Sequence, residues 1–250
     1  MIENFNRTFF SSNFCVRKYA EERNSLDDLF SSERYFLDRI LKPGMRVLDI
    51  GCAGGGLYAA LRQLTSDVNY VGVDIAPKLI EQAQRRFPDA QFMTLDATEP
   101  LPFAPDSFDL ILMLGVALHE SAYRNIIFGT VGLTRHYFLY DVHLKRYGTE
   151  EITDIEKACV VNRAGMKNRY IVTPYWQFRV YLENLRTEVV RIEVCGYYST
   201  ISANKKVKLP FEPDRVMTAC VLLERRRGND SPQIWVETLP WEEDFEQSIR

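Results

Sequence analysis

Apolar residues fall in two rhythms along the middle of this chain. Short runs in which most positions are apolar, MRVLDI (45–50), NYVGVDI (69–75), QFMTLD (91–96), FDLILML (108–114) and HYFLYDVHL (136–144), suit strands. Between the first three lie GLYAALRQL (56–64) and PKLIEQAQRRF (77–87), whose apolar positions recur every three or four residues, as on one face of a helix. Runs of Val, Ile and Leu are what a strand needs when helices cover both faces of its sheet. Pro77 fits a first helical turn, where no backbone N–H is required. Repeated strand–helix units of this kind predict a doubly wound α/β sheet.

The flanks are less regular. ERYFLDRIL (33–41) reads as a helix with Tyr35, Phe36, Ile40 and Leu41 on one face, capped by Ser25 or Ser32 and stopped by Lys42-Pro43-Gly44. Thr173-Pro174 reads as the cap and first turn of a helix over YWQFRVYLENL (175–185). VVRIEVCGYY (189–198) and RVMTACVLLERR (215–226) then read as two strands that pair antiparallel at the sheet edge. The expected organisation is a helical lid over 1–44 and a core over 45–227 with a substrate-side insertion around 144–188. A polar, acidic tail over 228–250 completes it.

Composition narrows the class without naming it. The chain has 250 residues, of which 46% are hydrophobic and 26% charged, as expected for a globular protein of one domain with embellishments. A formal charge of −3 supplies no field for gathering nucleic acid. The only basic runs, Lys205-Lys206-Val207-Lys208 and Arg225-Arg226-Arg227, read as solvated surface. Cys15, Cys52, Cys159, Cys195 and Cys220 are scattered with no Cys-x-x-Cys pair, which suits buried thiols in a reducing compartment. No apolar run approaches the ~20 residues of a membrane span. MIENFNRTFF lacks the apolar stretch of a secretory leader, so a cytoplasmic location is expected.

Chemistry first shows at VLDIGCAGGG (47–56), where a strand runs into a glycine-rich turn. Gly51-x-Ala53-x-x-Gly56 with Asp74 further on is a degraded dinucleotide fingerprint. Against it stands Asp49, directly before the turn, with no lysine or arginine from Val47 to Leu61 to compensate a diphosphate. A ligand carrying an ammonium and a sulfonium would be attracted there instead.

Four blocks in order carry a family resemblance: VLDIGCAGG, YVGVDIAPKLIEQAQRRFP, FMTLDATEPLPFAPDSFDLI and LMLGVALHE. Together they resemble the class I S-adenosylmethionine-dependent methyltransferases, in particular the small-molecule branch typed as methyltransferase 11 or 25, over roughly residues 45–143. The resemblance implies a Rossmann-like, seven-stranded mixed sheet of order 3-2-1-4-5-7-6. It implies that Asp49, Gly51, Cys52, Ala53, Gly54 and Gly55 hold the methionine part of S-adenosylmethionine. It likewise implies that Asp74 with Ile75 holds the ribose, Asp96 with Ala97 the adenine edge, and that Leu114 forms a wall. Ala53 departs from the family, which commonly has glycine there. Asp96 alone could equally be a cap before Thr98-Glu99.

Methyl transfer to a hydroxyl needs an aimed nucleophile and a base. His119, just past the fourth strand, is the leading base; packing or capping the next helix is its simpler role. Asp141 and His143 share one face of the fifth strand as a further base pair or metal ligands, but two residues do not make a metal site and no metal is expected. Phe9, Phe10, Phe14 and Tyr19 could close a lid. Tyr19, Tyr175 and Arg179 are candidate acceptor contacts, as Tyr170, Trp176, Tyr197 and Tyr198 could be if they are not core. The expected function is methyl transfer to a small-molecule acceptor, at oxygen rather than nitrogen, with a sugar or sugar-linked metabolite among the acceptors. An RNA or protein methyltransferase, a protein that binds the cofactor without catalysis, and a nicotinamide reductase are the alternatives. A monomer or homodimer is expected, with no membrane or nucleic-acid partner.

Overall fold

The apolar runs build the centre of one sheet. The computed structural model describes residues 9–10, 12–19, 22–161, 165, 167–185, 188–198, 206–211, 216–225 and 233–240. Strands β1 (Arg46–Ile50), β2 (Asn69–Asp74), β3 (Gln91–Thr94) and β4 (Phe108–Met113) run parallel, and β4 continues parallel into β5 (Thr134–Lys145). Four further strands complete this layer: β8 (Thr173–Pro174), β9 (Val189–Tyr198), β11 (Met217–Arg225) and β12 (Ile234–Thr238). The order is β3-β2-β1-β4-β5-β11-β9-β12, with β8 pairing β5 off this path. β11 runs antiparallel to both β5 and β9. Val47, Leu48, Leu110, Ile111 and Leu112 are fully buried, which is why these runs carry so few polar letters.

Helices cover both faces. On one lie α2 (Ser31–Ile40), α3 (Gly56–Leu64) and α4 (Pro77–Arg86), which contribute Phe36, Leu37, Leu57, Leu61, Ile80 and Ala83 to a single apolar cluster. On the other lie α5 (Tyr123–Thr130) and α6 (Tyr175–Glu183), contributing Ile126, Ile127, Phe178 and Leu182. Burying each such Leu, Ile or Phe is worth about 1.5–3 kcal/mol. A short helix, α1 (Asn13–Tyr19), precedes them. In α2 the Glu33 carboxylate accepts the Phe30 backbone N–H at 2.9 Å, tying off a helix start that Ser25 and Ser32 do not cap.

The structure departs from the sequence expectation in four places. The seven expected strands stand in the expected order, but among the described residues the sheet has nine strands, because β12 adds parallel to β9 and β8 to β5. β12 lies within the expected tail; residues 228–232 and 241–250 of that tail fall outside the described residues. Pro174 stands at the cap of α6 rather than in its first turn, after pairing with Lys145. β6 (Cys159–Val161) and β7 (Lys167–Arg169), within the expected insertion, form a separate three-stranded antiparallel sheet with β10 (Lys206–Lys208), which lies in the stretch between β9 and β11. This small sheet has its own apolar cluster, including Ile152, Ala158, Tyr170, Val172 and Val216. Of the basic runs, Lys205, Arg226 and Arg227 lie outside the described residues, whereas Arg225 pairs with Glu188 at 2.8 Å and Lys208 donates to the Glu156 carbonyl. Among the described residues no helix is long and apolar enough to cross a membrane.

Candidate active site

A cavity of about 590 Å³ opens where the central parallel strands end, within the usual range for a small-molecule site. Its floor is the turn after β1. Gly51 there has φ +81°, and a Cβ on it would stand 2.3 Å from Val116, so only glycine leaves the backbone exposed to a ligand. Ala53 takes the left-handed conformation as well, with φ +47°. Its N–H donates to Asp74 Oδ2 at 3.0 Å, while Asp74 Oδ1 accepts the Ala76 N–H at 2.8 Å. The strand end and two backbone donors thus fix one carboxylate on the cavity wall. Burial raises its pKa, and the N–H donors of Ala76, Ala53 and Ile75 oppose that rise. Across the cavity Asp96 Oδ1 accepts the Thr98 N–H and hydroxyl at 3.0 and 2.7 Å, so its capping role and its place on the wall coexist.

Behind the glycine turn lies a buried charge cluster. Asp49 is 2% exposed and accepts a short hydrogen bond from the Tyr70 hydroxyl. Burial pushes its pKa up to about 7, against the lowering influence of Tyr70 and Arg23. Arg23 arrives from the segment between α1 and α2, donating to Glu33 at 2.6 Å and to the Leu114 carbonyl at 3.0 Å. It stands 3.9 Å from Asp141, whose other oxygen accepts the Gly115 N–H at 2.7 Å. Asp141 is also raised by burial to about 7, with Arg23 the main opposing influence. One guanidinium therefore serves three buried carboxylates, which leaves the site with surplus negative charge even though a cation does reach it. The absence of basic residues from 47 to 61 missed that cation, because it comes from a distant segment.

The other end of the cavity is walled by His119, His143, Tyr170, Val160 and Thr218, and roofed by Phe10, Tyr19 and Phe30. His119 Nδ1 meets the Arg169 carbonyl at 2.6 Å and His143 Nδ1 meets the Ile171 carbonyl at 3.2 Å. The His143 ring stacks on Tyr170, with centroids 4.1 Å apart and planes at 17°.

Most residues singled out by sequence meet here: Tyr19, Asp49, Gly51, Cys52 and Ala53 on one side, with Asp74, Ile75, Asp96, Ala97 and Leu114 around them, then His119 and His143. Others do not. Gly54 gives its carbonyl to Arg86, and Gly55, with φ +78°, starts α3 against Phe87 and Phe92; neither lines the cavity. Asp141 does not line the cavity and is turned to Gly115 and Arg23. Tyr175 and Arg179 are on α6, where Arg179 pairs with Glu237 and covers the Trp235 ring, and neither lines the cavity. Of the lid aromatics, Phe9 and Phe14 line a small side recess with Tyr19 rather than the main cavity. Gly56, the last glycine of the fingerprint, lies so close to the Glu22 carbonyl that a Cβ would stand 1.9 Å from it. Sequence reasoning missed Arg23 and Glu33, which had no local pattern to give them away.

Residues 47–128 match the family described as "Methyltransferase domain". Among curated proteins, the ubiquinone biosynthesis O-methyltransferase of Cereibacter sphaeroides is 39% identical over 80 residues, 30% of this chain and 31% of that one. The cyclopropane-fatty-acyl-phospholipid synthase of Escherichia coli is 38% identical over 100 residues, 37% of this chain and 25% of that one. The matched stretches thus span about a quarter to a third of the curated relatives' length. Among solved structures, phosphoethanolamine N-methyltransferase 2 of Haemonchus contortus, in complex with phosphomonomethylethanolamine and S-adenosylhomocysteine, superposes with a TM-score of 0.62. The identity is 16%, over 88% of this chain and 60% of that one. The magnesium protoporphyrin IX methyltransferase of Synechocystis with S-adenosylhomocysteine gives 0.55 at 15% identity, over 88% and 98%. SpnF, a cyclase, gives 0.57 at 13% identity, over 89% and 96%, so this fold alone does not dictate a reaction. The glycine turn and the ordered carboxylates of the cavity fall within residues 47–128, the stretch of this chain that is similar to the methyltransferase domain.

Proposed function

We propose that this protein transfers the methyl group of S-adenosylmethionine to an oxygen of a small molecule. The observation that carries this reading is Asp74. Its carboxylate is fixed by two backbone N–H groups on the wall of a cavity whose floor is the bare backbone at Gly51. A carboxylate so held can accept from both hydroxyls of a ribose. Asp96 and Ala97 stand where the adenine edge would be read, between the apolar side chains of Leu95, Ile75 and Leu79. Asp49 and the backbone of residues 51–53 would hold the amino-acid part, and the surplus negative charge behind the turn suits an ammonium and a sulfonium.

When bound, S-adenosylmethionine would supply an electrophilic methyl carbon with a thioether sulfur as its leaving group. The chain's own work is to hold the acceptor oxygen in line, exclude water and take its proton. His119 is the base in this reading: it lines the acceptor end, and its Nδ1 contact with a carbonyl leaves the lone pair on Nε2. O-methylation in the Cereibacter relative supports oxygen as the acceptor atom.

Calorimetry tests the cofactor, with S-adenosylhomocysteine binding and NAD not binding as the expected result. The opposite pattern would overturn the reading. Incubation of a metabolite extract with methyl-labelled cofactor, read by mass spectrometry, should yield one or a few labelled small molecules. Cofactor binding without any labelling would favour a binding protein.

A further inference from the structure

Helix α2 is tied to β9 and β11 by side-chain contacts that end beside two cysteines. Its Ser32 hydroxyl donates to Cys220 Sγ at 3.4 Å, and its Arg39 pairs with Glu193 at 2.6 Å. Cys195 follows Glu193 on the same strand, and both charges of that pair act on its thiol. In the antiparallel ladder of β9 and β11, Cys195 and Cys220 are direct partners. Directly opposed residues share one face of a sheet, and both cysteines pack in the apolar cluster to which α2 contributes. The Cα atoms of such partners are about 4.5 or 5.5 Å apart, according to their place in the ladder. Either spacing lies within the ~4.4–6.8 Å that a disulfide spans. The remaining cysteines stand elsewhere: Cys15 on α1, Cys52 in the glycine turn and Cys159 on β6.

Access sets the order of events. Cys195 is half-buried and Cys220 fully buried, so an oxidant meets Cys195 first. Burial and Glu193 push the Cys195 thiol up while Arg39 opposes them, which makes the first step slow and confines it to sustained oxidant. We propose that Cys195 and Cys220 are a modification site, where a hydroperoxide closes a reversible disulfide that loosens the cofactor end. The Cys195 sulfur attacks the peroxide; the O–O bond breaks, an alcohol or water leaves, and a sulfenic acid remains. The Cys220 sulfur then attacks that sulfur, the S–O bond breaks, and hydroxide leaves with the Cys220 proton as water. The thiol pair is oxidised by the electron pair that the peroxide gains. Ladder pairing already holds the partners together, so the second step needs no encounter. The bridge draws the Cys220 sulfur away from Ser32, a buried hydroxyl that loses its acceptor. Ser32 precedes Glu33, the anchor of Arg23 on the cavity wall. The bridge is independent of the methyltransferase reading; only its effect on the cofactor rests on it.

The test treats the full chain with hydrogen peroxide, removes the oxidant and alkylates the remaining thiols. Tryptic digestion without reductant should then yield residues 192–205 joined to 216–225, and dithiothreitol should separate them. S-adenosylhomocysteine affinity should fall by about tenfold on oxidation, a usual coupling between sites, and return on reduction. Cys195→Ala, at a half-buried position, should bind as the untreated protein does and keep that affinity through peroxide. Added oxygen on Cys195 without a cross-link, or a bridge to Cys15, Cys52 or Cys159, would overturn the pair. A cross-link with unchanged affinity, or an equal loss in Cys195→Ala, would overturn the loosening. No binding of S-adenosylhomocysteine by the reduced protein would sink the methyltransferase reading and the loosening with it, while the bridge would still be read from the peptides.

Discussion

The two ends of the cavity are built by different means. The cofactor end is made by strand ends and the turns directly after them: Asp49 near the end of β1 and Gly51 after it, Asp74 at the end of β2, Asp96 after β3. Each residue is placed by a few neighbours in sequence and by the parallel register of the sheet. The acceptor end is assembled from separate segments, among them the amino-terminal stretch, the loop after β4, the small sheet, and the strands β5 and β11 that carry His143 and Thr218, which meet only in the folded chain. The first can be changed one residue at a time with local effects. In the second, removing one group disturbs partners on other elements.

Arg23 joins the two ends, and its loss should have the largest effect. Arg23→Met leaves Glu33, Asp49 and Asp141 buried without their cation, at a cost of about 3–5 kcal/mol. Urea unfolding should show it; a loss below ~1 kcal/mol would mean that the cluster is not a shared support. At the cofactor end, Asp74→Ala should weaken S-adenosylhomocysteine binding by about 1–3 kcal/mol with little change in unfolding. Equal binding in titration calorimetry would remove Asp74 from the site.

Protonation offers a gentler probe. Burial holds Asp49 and Asp141 near pKa 7 in the folded protein, above the ordinary value of 3.8. Between about pH 4 and 7 the folded state therefore binds more protons than the unfolded chain, and stability falls as pH rises through that window. Each group contributes at most ~1.4 kcal/mol per pH unit. Asp141→Asn, which keeps an acceptor for the Gly115 N–H, should flatten the dependence measured by unfolding at pH 5 and pH 7; an unchanged slope would contradict it. The smallest effect is expected at the left-handed Ala53, where Ala53→Gly should raise stability by about 1 kcal/mol or less, read as a higher melting temperature.

The same contrast decides what could be read from the sequence. The strand–helix alternation was legible because buried parallel strands tolerate few polar residues, as Val47, Leu48, Leu110 and Leu112 show. The carboxylates at the cofactor end were legible because their spacing follows the strands. β12 was hidden because IWVET is short, half-buried and set in a polar stretch. The small sheet was hidden because its strands have three residues each, too few for a period to show. Arg23 left no readable mark, since Glu33, ten positions on, sits across a helix start, and Leu114 and Asp141 lie 91 and more positions away. Tyr175 and Arg179 misled because an aromatic and basic helix face looks like a ligand contact, whereas here it covers β12.

Helix α2 ties this geometry to time. Its Arg39 pairs with Glu193 at 2.6 Å across 154 positions, and its Ser32 hydroxyl reaches the Cys220 thiol at 3.4 Å across 188. On the ribosome, α2 emerges well before β9 and β11, the strands that carry those partners. Its apolar face must wait for them, and loop closure over such distances slows folding. Glu33 sits in the same helix, so the anchor for Arg23 is completed late as well, and a nascent chain would gain its cofactor roof only after nearly all of the sheet has been made.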